Sequence, residues 1–487
     1  MGNTFGGRKR WIPADILSGW GLVCIAFTLG GIFLPPALSA ITVGLGFLTL
    51  FVVRRQLLQR DYNICPPWLM IAIGLQLGVL ALINLAGITT WDEIATWSPS
   101  AIYLWRHDTF PHTNLEDSYS RWPAYPYGMA YLGYAASFLY SSFITQSGSM
   151  ATWLLFACFG WAITETQLQP ASPDQKVTHT SKLAWLGLAI LLCTLFNPGF
   201  NASFSVSGAS DGPTAIVTGF LGLLLVHLHA AFTKRDQERV SSISAQLALA
   251  AVVYVLLRQI NIIPLFILSF GFLVLAIKDK FFKSGLLTLG IALIPAVIAR
   301  LLWQHYVDQN LPGGAVGLMP FNQWRWNMLP DLLGAIGEDM AEKWGFYLLM
   351  LATSITGLVG FFRPSNSTRT LNFITATAFF GYTSFLVLAY VACDFTDRDV
   401  KRASSFYRYS SHMGMLGIAS LWFIMRPWLE QRLKEKHFVW LAIFGLTITP
   451  LIYTLKPNWV VRHSRPEYCT SRELAKKLLR HCPRKAK

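Results

Sequence analysis

The sequence predicts an all-α fold: a polytopic transmembrane helix bundle of about 13 spans, with extracytoplasmic helices lying along the membrane. Three observations predict it. Of 487 residues, 53% are hydrophobic and 13% charged, about half the charged share of a soluble domain. Mean hydropathy is +0.42. Apolar runs of roughly 20 residues recur from end to end, leaving no room for a large soluble catalytic domain.

The first run, 16–34, follows Arg8-Lys9-Arg10 and shows no small-residue cleavage site, so it reads as a retained span. Runs at 37–53, 68–88, 128–146, 149–165 and 183–197 come next. The second half carries 213–232, 243–257, 260–277, 285–303, 345–362, 371–392, 410–425 and 438–455. The bundle therefore covers 1–455, and a basic tail, 456–487, closes the chain. No repeat or low-complexity tract stands out.

The polar breaks sort by charge. Compact basic breaks are Arg8-Lys9-Arg10, Arg54/Arg55/Arg60, Lys234/Arg235/Arg239, Lys278/Lys280/Lys283, Arg363/Arg369 and Arg426/Arg432/Lys434/Lys436. The positive-inside rule assigns them to the cytoplasm. The formal net charge of +15 is thereby explained by topology, and nucleic acid is excluded as a partner. Segments 89–127 and 304–344 are long, aromatic and richer in acids than bases, and belong outside. Three apolar runs between 128 and 197 would join two outside points, which an odd number of crossings cannot do. Run 128–146, opening at a proline turn and bearing Tyr131, Tyr134 and Tyr140, is the one expected not to cross simply.

Cysteine usage adds little. Cys24, Cys158 and Cys193 lie in apolar runs as small core residues, and no CxxC or Cys/His metal spacing occurs. Cys469 and Cys482, in the tail, are read equally as two thiols or a disulfide. Asn201-Ala202-Ser203 is a sequon only if the host glycosylates such sites.

Candidate chemistry collects at loop ends. Trp91-Asp92-Glu93 places adjacent carboxylates after the third run. A solvated loop end would explain them, but Trp97, Tyr103 and Trp105 follow at a spacing suited to an amphipathic surface helix. Arg121-Trp122-Pro123-Ala124-Tyr125-Pro126-Tyr127-Gly128 sets a rigid turn. Asp211, just before Pro213, is explained by helix capping unless its carboxylate is used elsewhere. Arg258 interrupts two apolar runs; it either snorkels to the interface or waits for an anion.

Segment 393–409 is the anomaly, because Arg398, Lys401, Arg402 and Arg408 lie on the side that normally lacks bases. Pairing with Asp394, Asp397 and Asp399 would satisfy several of them but leaves Arg408 without a neighbouring acid. Guanidinium forks suit phosphate. A carboxylate at a membrane mouth, beside cations, fits an enzyme using a polyprenyl-phosphate sugar. The carboxylate would act as base on an acceptor hydroxyl, and the cations would take charge on the leaving phosphate.

Taken in order, Trp91-Asp92-Glu93, Tyr125-Pro126-Tyr127-Gly128, Asp211 and Ser405-Phe406-Tyr407-Arg408-Tyr409 give the chain a likeness to a known family. It resembles the GT-C superfamily of polytopic glycosyltransferases over about residues 68–425. The resemblance implies transfer from a polyprenyl-phosphate-linked sugar donor to a glycan, lipid-linked or protein acceptor at the outer face of a bacterial plasma (inner) membrane. It implies Asp92 or Glu93 as base, and Arg258 and Arg408 at the donor phosphate; Arg402, Asp211 and Tyr125 are further candidate substrate contacts. Two features depart from the pattern: a Tyr-Pro-Tyr-Gly turn where relatives carry two prolines, and two spans ahead of the acidic loop's own. No cofactor is expected. Asp92, Glu93, Asp211 and His107 could hold a divalent cation, although adjacent carboxylates do not fix a metal site. Rival functions are a transporter or flippase, a lipid-linked polysaccharide polymerase or ligase, and a non-catalytic scaffold.

Overall fold

The computed structural model describes residues 11–58, 92–113, 115, 118–167, 179–200, 207–311 and 317–432, with 73, 74, 76–78, 80 and 440 besides. Most of runs 438–455 and 68–88, Trp91, the sequon at 201–203, the tail at 456–487 and the basic residues Arg8-Lys9-Arg10, Arg60, Lys434 and Lys436 lie outside the described residues.

Among the described residues the chain is helical, without a strand. Helices α1 (Asp15–Phe33) and α2 (Leu38–Leu58) come first, then α3 (Ser98–His107), α4 (Gly128–Leu139), α5 (Ser147–Gln167) and α6 (His179–Cys193). Next are α7 (Asp211–Thr233), α8 (Gln237–Leu257), α9 (Ile262–Lys278) and α10 (Phe282–Asn310). The chain continues with α11 (Leu329–Glu342), α12 (Trp344–Phe361), α13 (Ser367–Ala392), α14 (Asp397–Lys401), α15 (Phe406–Ser410) and α16 (Gly414–Arg432). Among the described residues, eight helices are long and apolar enough to cross a membrane: α1 with its preceding turn, α5, α7, α8, α9 with its preceding turn, α10, α12 and α13. This makes the chain a multi-pass membrane protein. Apolar stretches Leu38–Val52 and Ser181–Cys193 are shorter.

Helix α7 is the central post. Nearly every residue from Asp211 to Phe232 is buried, as expected for a helix that is apolar all round. Helix α8 packs beside it, and α12 pairs with α13 so closely that Gly357 meets the backbone of Asn372. A Cβ on Gly357 would stand 2.2 Å from that carbonyl oxygen, so glycine is required for the contact.

Among the described residues, the breaks at 234–239, 278–283 and 363–369 share one end of the bundle. His229 Nε2 donates to Asp279 at 2.7 Å, Ser365 Oγ donates to the same carboxylate at 2.6 Å, and Lys278 Nζ donates to the Arg363 carbonyl at 2.7 Å. The opposite end gathers the starts of α7 and α12 and the ends of α8, α10 and α13.

The odd crossing count bears on α4, the helix of run 128–146. This helix has 12 residues, about 18 Å of rise against a hydrocarbon core of ~30 Å. It starts against the Leu256 backbone, at the end of α8. The next helix, α5, starts with Gly148 on Gly208 and Ser149 on Glu93, at the same end of the bundle. After α4 the chain is therefore back at the end of the bundle from which it set out.

The aromatic segment after Asp92 differs from a helix floating in headgroups. Trp97, Tyr103 and Trp105 are buried, because α3 packs on α4. Trp97 meets Tyr125, and Trp105 meets Phe143. Segment 317–328 instead docks on 391–394: Met319 N donates to Ala392 O, Arg325 N to Val391 O, and Asp394 N to Gly317 O.

Candidate functional site

Asp211 opens α7, and Ser210 takes the cap position without a side-chain capping bond. The Asp211 carboxylate is therefore not spent on the helix terminus. Its Oδ1 pairs with Arg258 Nη2 at 2.7 Å and accepts from His412 Nε2 at 3.0 Å. Its Oδ2 accepts from Arg408 Nη2 at 2.7 Å. Three donors from distant segments converge on one carboxylate that is 2% exposed. A buried charge needs such compensation, since desolvation alone costs several kcal/mol.

Arg258 sits in extended backbone between α8 and the short turn Gln259–Asn261, where the helix breaks. The break frees its side chain to turn inward rather than snorkel. It is buried, its Nε donates to Ser210 Oγ at 2.8 Å, and its guanidinium lies between the rings of Trp97 and Tyr409, 5.9 and 5.7 Å away.

Arg408 is carried by α15, whose preceding residue Ser405 has φ 69°. Its Nη2 bridges Asp211 and Asp92 Oδ2. Burial works against its charge, but Asp211 and Asp92 outweigh that and push its pKa well above the usual arginine value. The acids of its own segment go elsewhere: Asp394 and Asp397 pair with Arg325 at 3.7 and 3.4 Å. Local neutralisation thus does not account for Arg408.

The two adjacent carboxylates separate. Asp92 is partly exposed and faces Arg408. Glu93 is 1% exposed and turns the other way, where Ser149 Oγ donates to Oε1 at 3.2 Å and Ser207 Oγ approaches Oε2 at 3.5 Å. A Cβ on Gly208 would stand 2.6 Å from Glu93 Oε1, so the carboxylate is wedged against backbone. Asp92 remains the group with access to a substrate.

Tyr125 stands beside the cluster, and burial pushes its hydroxyl pKa up. With Arg258, Arg300, Gln259 and Tyr409 it lines a cavity of about 330 Å³ whose other walls are apolar. Arg402, by contrast, is exposed at the end of α14 and joins neither the cluster nor the cavity.

Sequence reasoning missed His412 and Arg300. His412 is fully buried, and its Nδ1 has no hydrogen-bond partner. Its signal was a histidine inside an otherwise apolar run; Arg300 left the same kind of signal in α10. Neither could be connected to Asp211 or Arg258 without the fold. Among the described residues no group of three or more His, Cys, Asp or Glu is placed to hold a metal ion. Asp92, Glu93, Asp211 and His107 do not converge; the His107 ring contacts the Tyr119 hydroxyl at 3.1 Å instead.

Comparison with protein-family models, with curated proteins and with solved structures gives no match to this chain.

Proposed function

We propose that this chain is a membrane glycosyltransferase of GT-C-like architecture, with about 13 spans, that moves a sugar from a polyprenyl-phosphate donor to an acceptor hydroxyl. The observation that carries the reading is the adjacency of two spaces. The 330 Å³ cavity holds Arg258 and Arg300, and Ile263 lines both it and an apolar groove of about 480 Å³ between α9 and α13. Phe266 and Phe270 of that groove are exposed on the protein surface, where a lipid chain would lie. A ligand with a phosphate head and a long apolar tail matches this pairing of cations and hydrocarbon.

In the proposed reaction the donor phosphate engages Arg258 and draws Arg408 away from Asp92. Asp92, freed from its ion pair, takes the proton of the acceptor hydroxyl. The hydroxyl oxygen bonds to the anomeric carbon, and the bond from that carbon to the phosphate oxygen breaks. Polyprenyl phosphate leaves with the electron pair, its new charge met by the arginines. Asp211 stays ionised beneath them and fixes both guanidiniums. The positive-inside rule, which assigns the basic end of the bundle to the cytoplasm, supports an outer-face site.

A transporter is less well supported, because the charged cluster lies at helix ends rather than near the middle of spans. The test is transfer itself. Purified protein in nanodiscs is given a radiolabelled polyprenyl-phosphate sugar and membrane extract as acceptor, with polyprenyl-diphosphate glycan in a parallel arm. Label transfer from the monophosphate that is lost in Asp92→Asn supports the proposal. Transfer from the diphosphate alone would favour the polymerase or ligase, and no transfer from either would remove the enzymatic reading.

A further inference from the structure

Arg300, Gln304 and Asp308 recur at every fourth position of α10 and so share one helix face. They are hydrogen-bonded in order. Gln304 Nε2 donates to Asp308 Oδ1 at 2.5 Å, and Arg300 Nη1 donates to Gln304 Oε1 at 2.9 Å. Asp308 thereby fixes the Gln304 amide with its oxygen toward Arg300. A reversed amide would set its nitrogen against the guanidinium and its oxygen against the carboxylate.

Packing holds α10 against the cavity shared with Arg258. Trp303 Nε1 and Gln259 Nε2 both donate to the Ala124 carbonyl, at 3.0 and 2.6 Å. One carbonyl therefore ties α10 and the break after Arg258 to the proline turn that carries Tyr125. Arg300 lines the space between them and is half-buried.

Two arginines line this cavity, and no aspartate or glutamate does. Their situations differ. Arg258 is already paired with Asp211 at 2.7 Å. In the neighbouring cluster Asp211 and Asp92 answer Arg258 and Arg408, so the charges there balance. Arg300 is a third cation. Among the described residues it forms no ion pair, and the amide oxygen it donates to is neutral, which leaves its charge in place. Asp308 reaches it only through Gln304 and is exposed to water, where screening weakens its hold.

We propose that Arg300 receives the donor phosphate and sets the affinity for it, with Gln304 as its positioning residue. This deepens the transferase reading and rests on it. A phosphate meeting Arg300 breaks no ion pair, and the low-polarity walls strengthen the attraction. Arg258 and Arg408 are engaged afterwards, because each must first share its guanidinium with a carboxylate.

The test uses the full chain in phosphatidylcholine nanodiscs. A photoreactive polyprenyl phosphate is the binding probe, and label transfer from the polyprenyl-phosphate sugar is read beside it. Arg300→Ala should raise the probe Kd and the donor KM about ten- to hundredfold, the order for losing a charge-assisted hydrogen bond, with kcat and acceptor KM little changed. Arg300→Lys should recover part of the loss, since it keeps the charge without the fork. Gln304→Glu sets a carboxylate where the neutral amide stood. It should weaken the probe about as much as Arg300→Ala while the melting temperature stays near that of the parent; a shifted melting temperature with donor KM unchanged would reduce Gln304 to a structural residue. A parent protein that binds no probe, or binds it no better than Arg300→Ala, overturns the inference, and transfer in the same preparation tells whether the transferase reading falls with it. Probe binding that depends on Arg300 in a protein that transfers no sugar would remove that reading and keep the phosphate site. Displacement of the probe by an equal concentration of phosphatidylglycerol would make Arg300 a headgroup contact for bulk lipid and overturn the inference as well.

Discussion

Arg408 donates to Asp211 at 2.7 Å across 197 residues of sequence, and the same nitrogen reaches Asp92. One guanidinium thus joins the acidic loop after the early runs, the start of α7 and the late basic segment. Removing it should uncouple all three. In Arg408→Ala, donor-lipid affinity should fall by about one to two orders of magnitude, as for loss of a charge-assisted pair, with acceptor affinity little changed. Arg402→Ala should leave both unchanged. Equal loss of donor and acceptor binding in Arg408→Ala would argue against a phosphate role.

Asp92 and Glu93 should separate by kind of defect. Asp92→Asn should keep the fold and lose about 10²–10⁴-fold in turnover, the span attributed to a general base. Glu93→Gln should act on stability, because the buried carboxylate is held by Ser149 and Ser207 against Gly208. Thermal unfolding in nanodiscs, read beside label transfer, distinguishes the two. A fully active Asp92→Asn enzyme would remove the proposed base.

Asp211→Asn leaves Arg258 and Arg408 without their shared buried carboxylate. The expected cost is roughly 3–5 kcal/mol, typical of a broken buried ion pair. His412→Ala should cost less, about 1–2 kcal/mol, since it removes one hydrogen bond to the same carboxylate. The order of the two melting temperatures checks this. Asn at 211 melting with the parent protein would mean that the arginines find other partners.

Gly357→Ala should separate α12 from α13, since the added Cβ meets the Asn372 carbonyl at 2.2 Å. Overpacking of this kind typically costs about 1–3 kcal/mol. Gly290→Ala, where a Cβ meets nothing within 4 Å, is the matched control. Unchanged stability in the first variant would show that the helices yield at that point.

Cysteines introduced at Ser118 and Ser404 should both react with an impermeant maleimide added outside the cell. Neither residue is fully buried, and both belong to the end that carries Asp92 and Arg408. Protection of either one until the membrane is opened would separate the two loops and dissolve the shared site.

Membrane residence, all-helical architecture and the meeting of three basic breaks at one end were legible because composition and run length act locally, each run carrying its own signal. The return of α4 was legible too, from a proline turn, three tyrosines and the parity of crossings. The pairing of Asp92 with Arg408 was not. It depends on a helix break at Arg258, on a left-handed residue at Ser405, and on Arg325 taking Asp394 and Asp397 out of competition. Each of those is a contact between segments that no window of sequence contains.

The sequence by itself determined what solvent this chain folds in and which loop ends carry charge. Burying charge is expensive in hydrocarbon, so its placement is written directly into hydropathy. Only the tertiary structure decided which charges meet. It turned Glu93 toward serines and Asp92 toward Arg408, gave Asp211 three partners in place of a helix cap, left Arg402 outside, and brought in His412 and Arg300. The physical reason is that a buried ion is stable only where opposite charges and donors surround it, and those partners come from whichever segments the packing brings alongside.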